Sequence, residues 1–224
     1  MTVLAPLHFA DPREAAALAA FLARLVHYDR AAAVRLQAGG GALAVFGRPP
    51  SFEVLAIRTA RLVDAVDLDV TVSAGELLDG IEETAGKAVV PGAVTGPPWA
   101  GVLPPRSGWR PVEGLPGAGE LRGAVAAAVA EFRRRDEELP EERRTRAERD
   151  RLGREIWSRV LGATGLPLRA VHAAQSLGFL PPGKSPEELP VVLMAAGPWL
   201  RLRTPYGSVA LRTTPTGLTF TPAL

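Results

Sequence analysis

The chain has no cysteine. Disulfides, thiolate metal sites, thiol nucleophiles and cysteine-ligated clusters are therefore excluded. Histidine is scarce too. His8, His27 and His172 lie far apart, none at the four-residue spacing by which two imidazoles share a metal on one helix face, so no metal site is expected. Lysine is nearly missing: of 26 basic residues, 24 are arginine. Together with abundant Ala, Gly and Pro, this bias points to a GC-rich bacterial genome in which arginine is the default surface cation. Its abundance alone thus says little about phosphate binding. Long apolar runs are also absent, none approaching the roughly 20 residues of a membrane span, so no membrane partner is expected. The start, Met1 to Pro6, lacks a positively charged region before an apolar core, and the expectation is a cytoplasmic chain without a signal peptide.

What is present suggests an α+β protein. Asp11-Pro12-Arg13-Glu14 offers an N-cap, a first-turn proline and an early carboxylate. Leu18, Phe21, Leu22, Leu25 and Val26 follow at the spacing of one buried helix face. A short strand over residues 4–9 precedes this helix. Alternating segments at 33–37, 43–46, 52–61 and 68–72 predict an antiparallel meander, with Gly39-Gly40-Gly41 as hairpin chemistry. Ser73 and Glu76 can cap and open a further short helix. Residues 1–85 thus read as an N-terminal antiparallel sheet unit with helices. The element order over 4–84 resembles one repeat of the sliding DNA clamps.

Residues 86–118 are dense in Pro and Gly and hold Trp99 and Trp109, which predicts an ordered crossover packed against a surface. Residues 119–224 begin with a helical hairpin over 119–138 and 141–161. Its 11 basic and 10 acidic side chains between 120 and 159 suggest a salt-bridged solvated face or a pairing surface. A small C-terminal β-meander closes the chain at 199–204 and 208–213.

Catalytic motifs fail on context. Gly117-Ala118-Gly119 opens a helix but no buried strand precedes it, so a dinucleotide loop is not expected, and no cofactor is. Ser176 sits inside a helix end rather than on a strand-turn-helix elbow. Asp64, Asp67 and Asp69 suit a guarded turn and sheet edge better than a cation site.

The segment 157–180 resembles the helix-turn-helix of winged-helix regulators such as the IclR family. Gly165 stands at its turn, Val160, Leu161, Leu166 and Val171 at the helix contact, and Pro167 at the start of the second helix. The hairpin to residue 213 stands where a wing would be. The resemblance implies DNA contact through Arg169, His172, Gln175, Arg201, Arg203 and Arg212. The expected function is accordingly that of a non-enzymatic regulatory protein touching DNA through its C-terminal part. The alternatives are a protein–protein adaptor, partnered or self-associating, with no nucleic-acid contact, and an enzyme acting through carboxylates and arginines.

Overall fold

The computed structural model describes residues 6–182 and 189–213. Leu4 and Ala5 of the expected first strand lie outside the described residues. The chain opens with β1 (Leu7–His8) and α1 (Pro12–Tyr28). The Asp11 carboxylate accepts a hydrogen bond from the Arg13 N–H at 2.8 Å, satisfying a donor that the first helical turn leaves free. A meander follows: β2 (Ala33–Gly39), β3 (Ala42–Gly47), β4 (Leu55–Arg61) and β5 (Leu68–Ser73). Ser73 then caps α2 (Ala74–Asp79), accepting from the Glu76 N–H. Two short strands, β6 (Ile81–Glu82) and β7 (Lys87–Ala88), form a three-stranded sheet with β1.

The crossover carries a single 3-10 turn at Pro98–Gly101 and the edge strand β8 (Arg110–Val112). Helices α3 (Ala118–Glu137) and α4 (Arg146–Trp157) make the hairpin. Next come β9 (Val160–Leu161), β10 (Leu166–Pro167) and α5 (Leu168–Ser176), then β11 (Val192–Ala196), β12 (Trp199–Thr204) and β13 (Gly207–Arg212).

Eight strands join in one antiparallel sheet of order β5-β2-β3-β4-β13-β12-β11-β8. The C-terminal meander is thus continuous with the N-terminal one, through Ser208, Val209 and Ala210 of β13 opposite Ile57, Ala56 and Leu55 of β4. Strand alternation explains both faces. Val34, Leu36, Leu43, Val45, Leu202 and Val209 point to the helices and bury against Phe21, Leu22, Leu25, Val171 and Leu177 in one core. On the other face Phe46, Leu55, Ile57 and Ala210 form a smaller cluster, covered by Trp99, Leu103 and Trp199. The crossover therefore packs on the sheet, with Trp99 and Trp109 both half-buried.

The winged helix-turn-helix expected at 157–213 is not formed. Between α4 and α5 the chain makes a β-hairpin, Leu161 opposite Leu166, turned through left-handed Gly162 and Gly165. Buried Thr164 locks it: its hydroxyl donates to the Leu161 carbonyl at 2.6 Å and accepts from the Leu166 N–H at 3.2 Å. Leu168, Ala170, Val171, Ala173 and Ala174 are buried, so α5 is a core helix rather than one presented to a groove. The β12–β13 hairpin is internal to the sheet, paired on both sides, and cannot act as a free wing.

Candidate functional site

The segment joining β3 to β4, residues 48–54, folds over the start of α5. Ser51 (φ 69°) and Glu53 (φ 53°) adopt left-handed backbone conformations that non-glycine residues rarely take, at a cost of about 1–3 kcal/mol each. These two turns present Phe52 to α5. Its ring meets His172 edge-on at 5.2 Å between centroids, and His172 stacks on Trp157, the last residue of α4, at 4.3 Å and 20°. The imidazole is held between aromatic groups, and burial lowers its pKa below the ordinary histidine value.

Beside this stack lies a cavity of about 680 Å³, walled by Phe52, Phe132, Trp157, Arg154, Arg169 and His172. Gly153 helps to open it, having no side chain to fill the space between Trp157 and Phe132. A second cavity of about 500 Å³ is lined by Arg48, Trp99, Trp199 and Arg212, and shares Glu53 and Arg169 with the first. The two cavities meet at that pair, where Arg169 Nε lies 3.4 Å from a Glu53 carboxylate oxygen. The contact is an ion pair without hydrogen-bond alignment, and the Nε atom is buried with no hydrogen-bond partner. The Arg212 guanidinium lies over Trp199 at 6.0 Å.

Of the residues expected to touch DNA, the fold brings Arg169, His172 and Arg212 to these cavities. Gln175 lies about one turn on, exposed, at a separate depression against α3 that His172 also borders. Arg201 is directed elsewhere: it stacks over Trp109 at 5.7 Å and donates through Nε to Ser208 at 2.9 Å. Burial, with Arg203 adding charge repulsion, pulls its pKa down to about 10. Arg203 is exposed on the same strand. The fold thus places three of the six at these cavities and three outside them, and because the winged helix-turn-helix that carried it is not formed, the expected DNA-contacting function is withdrawn.

Other candidates are absorbed into structure. Asp69 pairs with Arg35 at 2.7 Å, and Asp64 lies 3.5 Å from His8. The Glu120 carboxylate accepts from the Gly117 N–H at 3.1 Å, occupying the position an anion would need at that helix start. Ser176 is the last residue of α5. Among the described residues no group of three or more His, Asp or Glu could hold a metal ion.

Phe52, Glu53 and the convergence of Trp99, Trp157 and Trp199 were not visible in the sequence. The tertiary fold alone assembles them. The only sequence signals were the Pro49-Pro50 turn and the scarcity of tryptophan: three of the chain's four border the two cavities.

Residues 3–101 match the family model described as Domain of unknown function (DUF8010), and residues 104–216 match Domain of unknown function (DUF8185). The chain belongs to the DUF8185 family. Neither family description mentions DNA. No curated protein matches the chain. Among solved structures, a DNA polymerase sliding clamp from Pseudomonas aeruginosa, crystallised with ligand, aligns at 15% identity and a TM-score of 0.46. The alignment covers 91% of this chain and 64% of that one, so this chain spans less than two thirds of the clamp's length. Among the described residues no helix is long and apolar enough to cross a membrane.

Proposed function

We propose that this member of the DUF8185 family is a cytoplasmic adaptor that docks a segment of another protein in the double cavity between the 48–54 loop, α4, α5 and the Trp99 turn. The observation that carries the reading is the convergence of Trp99, Trp157, Trp199 and Phe52, all half-exposed, around adjoining cavities. Tryptophan supplies a large apolar face and a polar edge, and with arginine it dominates the energetic centres of protein interfaces. Four aromatic side chains left half-exposed around one pair of adjoining cavities are consistent with a surface completed by a partner. The strained backbone at Ser51 and Glu53 supports the same reading, since such conformations cluster at binding clamps.

Selection of a displayed library of linear peptides against the folded protein tests it. Peptides should be recovered whose binding falls about tenfold or more in Phe52→Ala and is unchanged in Arg13→Ala, at an exposed position on the opposite end of α1. Recovery of no peptide, or of peptides indifferent to Phe52→Ala, contradicts the proposal.

A further inference from the structure

The docked segment's chemistry can be read from the charges around the cavities. Arg48, Arg149, Arg154, Arg169 and Arg212 line them, against only two carboxylates, Glu53 and Asp150. Arg149 is engaged with Asp136 at 2.8 Å and Arg169 with Glu53. Among the described residues Arg48, Arg154 and Arg212 have no ion-pair partner. Guanidinium groups offer planar forks that match carboxylates, and here they share the cavities with aromatic planes: Arg154 and Trp157 line the first, and Arg212 lies over Trp199 in the second. The ion pair at the junction is poorly aligned and leaves a buried donor unsatisfied, so an incoming carboxylate can take the position that Glu53 fills badly.

We infer that the segment bound here is an acidic peptide carrying a large apolar residue between its carboxylates, with Glu53 acting as a resident competitor for Arg169. The inference rests on the adaptor reading and deepens it. A nucleic-acid strand fits less well. Its phosphates would meet the carboxylates of Glu53 and Asp150 in the same lining, and two of the five arginines are already ion-paired.

The test uses three synthetic peptides of equal length: one with aspartates flanking a tryptophan, its asparagine counterpart, and its lysine counterpart, titrated by fluorescence anisotropy. The acidic peptide should bind best, and its affinity should fall on raising salt from about 0.05 to 0.5 M. Arg154→Ala and Arg212→Ala should each weaken it about two- to fivefold and reduce the salt dependence. Glu53→Gln should strengthen it by a similar factor. Far-ultraviolet circular dichroism checks that these exposed substitutions leave the fold intact. Equal binding of the asparagine peptide, a neutral or weakening Glu53→Gln, or tighter binding of a single-stranded oligonucleotide of equal charge overturns the inference. If library peptides dock in a Phe52-dependent way without acidic preference, the adaptor stands and this inference falls. If no peptide docks, both fall.

Discussion

At the scale of single residues, two positions show how closely the frame of the site is packed. Gly207 begins β13 with φ 152°, and a Cβ there would lie 2.5 to 2.7 Å from three atoms of the Phe179 ring. That ring is buried and packs on Phe21 at 5.5 Å, so it has little room to move. Gly207→Ala should therefore destabilise the protein by about 3 kcal/mol, read as a lowered denaturant midpoint. A change below about 1 kcal/mol would show that the hairpin relaxes instead. His172 provides a second check. Burial depresses its pKa, so proton NMR should show it titrating below the usual histidine value of about 6.5. Its contribution to stability is then complete above that value and declines as pH falls through the folded pKa. Trp157→Ala, which opens one side of the ring, should move the midpoint upward, and an unchanged midpoint would mean that another group sets the shift.

At the scale of elements, the α3–α4 hairpin adds a set of ion pairs to its apolar seam. Glu131 accepts from Arg159 at 2.7 Å, Arg135 donates to Glu155 at 2.7 Å, and Arg149 pairs with Asp136. Hydrogen bonds from Arg159, and then from Arg135, draw the Glu131 carboxyl down to about 2. Because the folded value is depressed, this stabilisation is present above the unfolded value of about 4.5 and is lost as pH falls toward 2. Glu131→Gln should thus be less stable than the parent at neutral pH, with the difference shrinking to nothing near pH 2 and in high salt. A difference constant with pH would assign the effect to packing. The alternating charges made this hairpin legible, as the caps at Asp11 and Ser73 and the alternation of β2 to β5 made theirs, because each signal is local. The β9–β10 hairpin was misread for a physical reason. A left-handed glycine with flanking apolar residues serves a tight β-turn as well as a helix-turn-helix, and the decisive contacts, Thr164 to Leu161 and Leu166, depend on backbone pairing that sequence does not display.

At the scale of the whole molecule, the boundary between the two family matches falls inside one folded unit. The β4–β13 junction links the residues of DUF8010 and DUF8185 in a single sheet, and one core contains side chains from both. Denaturation should be a single cooperative transition. Residues 1–101 expressed alone should aggregate or remain unfolded, because the edge of β4 and the apolar Leu55, Ala56 and Ile57 would be exposed. A monomeric, natively folded fragment would contradict this. The junction was hidden from sequence reading, since strand pairing across about 150 residues leaves no local pattern. The same non-locality hid the site, whose aromatic walls come from the 48–54 loop, the crossover, α3, α4, α5 and β12. Fluorine NMR of the protein labelled with 5-fluorotryptophan offers the most direct measurement of its role. On titration with a library-selected peptide, the resonances of Trp99, Trp157 and Trp199 should shift together and saturably, while Trp109, covered by Arg201, should move least. Saturable binding that leaves those three unmoved, or that shifts Trp109 alone, would place the interaction elsewhere and contradict the docking cleft.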